Sequence, residues 1–326
     1  MMPAGKAGDE PVEGELSTPA AHHRKLRWLL GAFYALSAVF VLAAIASTVD
    51  RASGRVVPSI AAIGFSLVAL MVALRCSASA WASLLPGEAP GVELRRCVYS
   101  SQLGKYVPGG VVQGVGQVAL AGRSGVPLRT AFPAYVVYAG HAALGSLVAG
   151  GVLATQAPTV GWEWALAALA MAVVSVAFVA RPVLVAGLGL AQRLVPRLRR
   201  LGPLPAQGRL TRGFVLQVAF ALLQGASFAA LLRSLDHDVP VLAAVGANAL
   251  AFGLGLLALP VPSGLLVREG LLVAMLHPVA GAAAIVTAAI VQRLVAIAAE
   301  VVMLVANRVA PTASSHVTAP ADLGGT

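Results

Sequence analysis

Long runs of apolar residues recur along the chain from Trp28 to Ala306, and this recurrence constrains the fold more than any other feature. Only 11% of the residues are charged, whereas a soluble domain has about 25%. Lipid is the solvent that accommodates such runs. Because lipid cannot hydrogen-bond to the backbone, each run must form a helix or a strand of a closed barrel. The runs are continuous and rich in Ala and Leu, which favours helices. The sequence therefore predicts an all-α, polytopic membrane bundle.

The chain predicts about seven or eight hydrophobic segments, two of them re-entrant or broken. Two apolar runs are short, and the fifteen residues of 107–121 cover only about 22 Å at about 1.5 Å per residue, less than the bilayer core of about 30 Å. The second short run, 265–276, either re-enters the membrane or completes a span. The longer runs are 28–49, 56–74, 131–153, 162–180, 213–232, 241–259 and 281–306.

The ends of the chain differ in composition from the apolar region. Residues 1–21 are polar and small, and they predict a disordered tail, as do residues 309–326. The membrane domain is predicted over 22–308. A secretory signal also begins with a basic flank, but run 28–49 exceeds the 7–15 apolar residues of a typical signal core, which favours a retained span.

The net charge of +10 lies largely in connections between the apolar runs. Basic clusters occupy 22–27, 75–129 and 181–212, whereas the connection 154–161 has no basic residue. The positive-inside bias therefore predicts a multi-pass protein of the cell membrane with a cytoplasmic N-terminus. It also explains the charge without nucleic acid as a partner. The seven arginines of 181–212, set among leucines and valines, predict an amphipathic element on an anionic leaflet.

The sequence contains few of the residues that catalysis or metal binding requires. Cys76 and Cys97 match no metal-ligand spacing and are interpreted as packing residues. His141, one turn after Tyr138, is expected to hydrogen-bond a neighbouring helix rather than to catalyse. No phosphate-binding loop or hydrolase signature is present. We therefore expect no catalytic residue, no metal and no cofactor, and the chain is not predicted to be an enzyme.

Two stretches place helix-breaking residues beside a cation, and we call them the first and second breaks: 104–113 around Lys105 and 260–269 around Arg268. Broken backbone at membrane depth is tolerated where it is buried in protein or lines a cavity. Paired broken segments mark the substrate site of many transporters, and freed amides can hold an anion. The alternative is an ordinary interfacial turn of Pro and Gly.

The string GKYVPGGVVQGVGQVAL, followed by Arg123, resembles the signature of the flippase-like membrane region of bacterial lysylphosphatidylglycerol synthases and their stand-alone relatives. PVPSGLLVREG resembles a later element of that family, and Gln292-Arg293-Leu294 with Glu300 resembles its last helix. The resemblance covers about residues 25–308 and implies a lipid-translocating or lipid-handling domain. Because only a short tail follows residue 306, we do not expect lipid aminoacylation itself.

Charged residues inside apolar runs usually pair or line a polar path. Arg293 and Glu300 lie two turns apart on one helix face. We predict that Arg268 and Arg293 hold a head-group phosphate while Glu269 and Glu300 orient them or relay a proton; the alternative is structural ion pairing. Amides at membrane depth either bond between helices or line the same path: Gln113, Gln117, Gln217, Gln224 and Asn248. The predicted head-group site comprises Lys105, Tyr106, Pro108, Gly109, Gln113, Gln117, Pro262, Gly264, Arg268, Glu269, Arg293 and Glu300.

The leading functional hypothesis is a flippase-like transporter of an anionic, aminoacylated or isoprenoid-linked lipid. Its partners would be anionic phospholipids or isoprenoid phosphates. A second hypothesis is a scaffold for a separate lipid- or glycan-modifying transferase, with 181–212 as the docking surface. An intramembrane enzyme that uses Glu269 or Glu300 as its base is the weakest, since no nucleophile or metal set accompanies it.

Overall fold

The computed structural model describes residues 57–85, 87, 89–106, 111–154, 162–195, 202, 204–236, 238–257 and 267–309. All of them fall within one structural unit, Ala44–Thr326. These residues form helices and no strand, so the all-α prediction is confirmed for them. The helices are α1 (Ile60–Leu84), α2 (Gly91–Ser101), a 3-10 helix η1 (Gln102–Tyr106), α3 (Val111–Arg123), α4 (Leu128–Ala154), α5 (Trp162–Val179), α6 (Arg181–Leu194), α7 (Gln207–Leu235), α8 (Val241–Leu257), α9 (Val267–Leu276) and α10 (Ala282–Val309).

Among the described helices, α1, α4, α7 and α10 are long and apolar enough to cross a membrane. A fifth span results if α5 and α6, which are bent by 80° at their junction, count as one. The chain is therefore a helical membrane protein. The first predicted run, 28–49, lies outside the described residues, and the total of seven or eight segments stays a prediction.

The core forms where α1, α4 and α7 pack together, with α8 against α4 and α7. Trp81 of α1 meets Tyr135 and Tyr138 of α4 edge to face, a favourable geometry for aromatic rings. A second apolar cluster around Phe228 and Leu232 joins α7 to α8, α9 and α10. These two clusters hold the helices that carry the polar residues described below.

The predicted end of the second apolar run, Leu74, is wrong. Helix α1 continues to Leu84, and Arg75 lies on its exposed face. The Arg75 guanidinium donates to Ser79 Oγ at 2.6 Å, one turn further along. A single arginine does not end an apolar helix when its guanidinium extends to the exposed face and donates a hydrogen bond to a side chain in the next turn.

The predicted amphipathic element 181–212 is also not one element. Its described residues divide between α6, Arg181–Leu194, and the first turns of α7 from Gln207. Prolines at 196, 203 and 205 in the sequence prevent a continuous helix, because each removes a backbone donor. The predicted start of the fifth span, residue 213, is also wrong, since α7 begins six residues earlier, at Gln207, two residues after the last of these prolines.

The two short predicted segments are seen as α3 and α9. The described part of α3 begins at Val111 and that of α9 at Val267, and the predicted starts, 107 and 265, lie outside the described residues. The breaker residues 107–110 and 258–266 lie outside the described residues. Re-entry of either segment therefore stays a prediction.

Both cysteines lie in or beside the packed interior, and neither forms a disulfide. Cys97 of α2 is buried in the cluster around Trp81, and burial raises the pKa of its thiol. That thiol therefore stays protonated and unreactive at neutral pH.

Close packing of α4 on α8 yields a test of the fold with an internal control. A Cβ added at Gly150 would lie 2.7 Å from the backbone N of Leu250, whereas one at Gly140 in the same helix would meet nothing within 4 Å. We expect Gly150→Ala to destabilise the protein by about 1–3 kcal/mol through overpacking. Gly140→Ala should be neutral or add up to about 1 kcal/mol from helix propensity. The measurement is the melting temperature in detergent, and equal values for the two variants would contradict the packing described.

Candidate functional site

Helix α10 carries the ion-pair partners of one residue from each break. Lys105, near the end of η1, forms an ion pair with Glu300 of α10. Its Nζ also donates to Gln102 Oε1 at 3.3 Å. The side chains of Lys105 and Gln102 meet because residues three apart eclipse one another in a 3-10 helix. Glu300 is 3% exposed and Lys105 31%, so this pair lies at the border of the packed interior.

A second ion pair joins α9 to α10. Glu269 Oε1 lies 2.7 Å from a terminal guanidinium nitrogen of Arg293, and both side chains are largely buried. Arg293 precedes Glu300 by seven residues, about 10 Å along the helix axis. One residue of each break is thus paired with the same helix, at two levels along its axis.

Arg268 makes different contacts from the other two cations. Its guanidinium donates to Asn248 Oδ1 of α8 at 2.7 Å and to Gln292 Oε1 of α10. Among the described residues no carboxylate lies within ion-pair distance of it. Its Nε also has no hydrogen-bond partner among them. Neutral amide oxygens therefore hold this arginine, and its positive charge is not cancelled by direct contact.

Gln292 extends this set of contacts into the bundle. It is 1% exposed, and its Nε2 donates to the backbone oxygen of Gln224 at 2.6 Å and approaches Ser227 Oγ at 3.5 Å. The Ser227 hydroxyl in turn bonds to that of Ser66 in α1 at 2.5 Å. We call these residues with Arg268 and Asn248 the amide network. It links α1, α7, α8, α9 and α10.

The charges of these five described side chains do not balance. Lys105 and Arg293 each pair with a carboxylate, Glu300 and Glu269, whereas Arg268 has no carboxylate in contact among the described residues, which leaves an excess of one positive charge among the five. An uncancelled charge in a low-dielectric interior is costly, and a bound anion would lower that cost. Guanidinium groups match the oxygen geometry of phosphate and carboxylate. The site is therefore suited chemically to an anionic group.

The structure does not bring every predicted site residue to these charges. Gln117 is fully buried, and its Oε1 accepts from Ser101 Oγ at 3.4 Å. Gln113 lies half-buried in α3, close to Gly104. The backbone of Tyr106 ends η1. The remaining predicted positions lie outside the described residues: Pro108, Gly109, Pro262 and Gly264.

Sequence reasoning placed some amides at membrane depth without assigning their partners. Asn248 and the backbone oxygen of Gln224 belong to the amide network, whereas Gln217 donates to Ser77 Oγ at 3.4 Å in a separate cluster. Ser66 and Ser227 were not predicted at all. The sequence shows each of them only as a serine in an apolar helix. Such serines often donate to a backbone oxygen of their own helix, as Ser146 and Ser175 do.

Among the described residues, His141 is buried, and neither ring nitrogen has a hydrogen-bond partner. The expected hydrogen bond to a neighbouring helix is therefore not seen, and the ring instead meets Phe214 edge to face. The described residues also contain no cluster of His, Cys, Asp or Glu that could hold a metal ion.

No protein-family model matches this chain, and no curated protein matches it. Its function is therefore inferred from the chemistry of the charged residues and amides.

The Lys105–Glu300 pair can be tested by a double-mutant cycle. Lys105→Gln removes the cation that faces the nearly buried Glu300, and we expect it to cost about 3 kcal/mol. Glu300→Gln should cost less, because Lys105 is more exposed and can reach solvent. The double variant should be more stable than the sum of the two losses predicts. Melting temperatures in detergent report the stability of the two single variants and of the double variant. A loss of stability in the double variant equal to the sum of the two single losses would show that the two residues do not interact.

Proposed function

We propose that this protein is a flippase-like transporter that moves an anionic, aminoacylated or isoprenoid-linked lipid between the leaflets of the cell membrane. The observation that carries the proposal is Arg268, a cation held by the neutral oxygens of Asn248 and Gln292 with no carboxylate of the described residues in ion-pair contact. An interior of apolar helices is a costly place for such a charge, so its retention favours a negatively charged ligand.

In this proposal the lipid phosphate binds between Arg268 and Arg293. Asn248 and Gln292 hold the Arg268 guanidinium in a fixed orientation, so little side-chain entropy is lost when the phosphate arrives. Glu269 holds Arg293 until the phosphate competes for it. The acyl chains stay in the bilayer, beside helix faces that expose apolar side chains. Only the head group needs the polar route.

The lengths of α3 and α9 support re-entrant segments. Their 13 and 10 residues cover about 20 Å and 15 Å, less than the bilayer core of about 30 Å. We propose that both dip into the membrane beside the breaks, within a bundle of seven or eight segments with a cytoplasmic N-terminus. We further propose membership of the flippase-like family of lysylphosphatidylglycerol synthases, on the motifs quoted above.

The proposal predicts that Arg268→Ala abolishes lipid movement while the protein still folds. Arg268→Lys should restore only part of it, because one ammonium cannot reproduce the fixed fork of a guanidinium. The matched control is Arg233→Ala, which removes an exposed arginine at the end of α7. The measurement is leaflet exchange of fluorescent anionic, aminoacylated and isoprenoid-phosphate lipids in proteoliposomes, with size exclusion and helicity as checks on folding.

Two outcomes would contradict the proposal. Exchange in folded Arg268→Ala at the rate of the unaltered chain would remove Arg268 from the route. No exchange of any lipid by the unaltered chain would favour the scaffold hypothesis instead. Helix α6 supports that alternative, because it exposes Leu190 and Leu194 beside the basic Arg193. Copurification of a soluble transferase that depends on Arg181–Leu194 would then be the deciding result.

A further inference from the structure

One face of α1 combines apolar exposure with a single cation at its end. Phe65, Val68 and Val72 are 53%, 60% and 46% exposed, and they recur at helical spacing along this face. The next exposed residue in the same row is Arg75. We call these four residues the outer row of α1. They lie on a different face of α1 from the amide network, since the network residue of this helix, Ser66, is fully buried.

The outer row has the length of one leaflet. Phe65 and Arg75 are ten residues apart, about 15 Å along a helix, which is half of the bilayer core of about 30 Å. An acyl chain lying against this row from Phe65 would therefore bring its head group to the level of Arg75. We infer from this length that Arg75 lies at the level of the lipid phosphates.

Arg75 has a cationic neighbour on α2. Helix α2 packs against α1, and the positive charge of Arg75 acts on Arg95, whose pKa is lowered first by burial and then by Arg75. In the part of the chain that the structure describes, no carboxylate lies within ion-pair distance of either guanidinium. Arg75 uses one terminal nitrogen for Ser79, and a guanidinium has five donors in all. Two positive charges therefore lie near each other, and Arg75 has N–H donors that Ser79 does not use.

A buried hydroxyl completes the set. Tyr99 lies one turn after Arg95 on α2 and is only 2% exposed. Its hydroxyl has no hydrogen-bond partner among the described residues. The positive charges of both arginines act on it and oppose the rise of its pKa that burial causes. A buried donor without an acceptor is destabilising, and an oxygen of a bound anion would supply the missing acceptor.

We propose that Arg75, Arg95 and Tyr99 form a binding site for the phosphate of an anionic phospholipid, with one acyl chain of that lipid along the outer row of α1. The two guanidiniums supply the charge, and the phenol donates a third hydrogen bond. The ligand is a lipid rather than free phosphate, because the exposed apolar side chains lead directly to the cation. Arg75 and the outer row lie on the exposed surface of the protein, Arg95 is half-buried and Tyr99 is buried. The site does not depend on transport.

The test measures lipid retention by native mass spectrometry of the purified protein in detergent, with phosphatidylglycerol as the anionic lipid and phosphatidylcholine as the neutral one. We expect Arg75→Gln/Arg95→Gln to bind phosphatidylglycerol about tenfold more weakly, because charge-assisted hydrogen bonds are lost. Tyr99→Phe should weaken binding by a smaller factor. The matched control, Arg233→Gln/Arg308→Gln, removes two exposed arginines elsewhere and should bind like the unaltered chain.

Arg95→Lys keeps the charge and should retain most of the binding, which guards against a double variant that folds poorly. Phosphatidylcholine binding should be the same in all variants. Equal retention of phosphatidylglycerol by folded Arg75→Gln/Arg95→Gln and by the control would overturn the site. So would binding of inorganic phosphate alone as tight as that of phosphatidylglycerol, because the acyl chain would then contribute nothing.

Discussion

The amide network exists because lipid offers no hydrogen bonds, so each polar group inside the bundle must find its partner in the protein. Gln292 meets this constraint in both directions, since its oxygen accepts from Arg268 while its nitrogen donates toward α7. A change at this one amide would therefore disturb a cation, a backbone carbonyl and a serine together. Interhelical hydrogen bonds in membranes contribute about 0.6–2 kcal/mol each, but here they are shared, and sharing makes their effects non-additive.

The two ion pairs on α10 have a different role from the amides. Lys105 belongs to the first break and Glu269 to the second, and both pair with residues of a helix long enough to cross the membrane. In the mechanism that we propose, an incoming anion replaces the carboxylate of such a pair. The amides that hold Arg268 are neutral, so they orient the guanidinium without cancelling its charge. The proposed mechanism thus combines fixed neutral contacts with ion pairs that exchange partners.

Part of this arrangement could be predicted from the sequence. The apolar runs that became α4, α8 and α10, and that of α7 apart from its start, were correctly located because continuous hydrophobicity is a strong local signal. The end of α1 was missed because one arginine was taken as a boundary, although Arg75 bonds to Ser79 within the helix. The partners of Lys105 and Arg268 could not be predicted, since they come from residues far along the chain. Spacing predicted that Arg293 and Glu300 share a face; it could not predict that each pairs with a different segment.

The glycine contacts between α4 and α8 have a mechanical consequence. Gly150 approaches the backbone around Leu250, and Gly253 approaches the backbone oxygen of Ala143, so the two helices touch at two points along their crossing. Helices in such close contact cannot slide or rotate past one another without a clash, so α4 and α8 behave as one rigid body. Asn248 is fixed to that body. If the protein moves lipids as we propose, we expect the polar route to open by movement of α9 and α10 relative to this body, which would break the Arg268–Asn248 hydrogen bond.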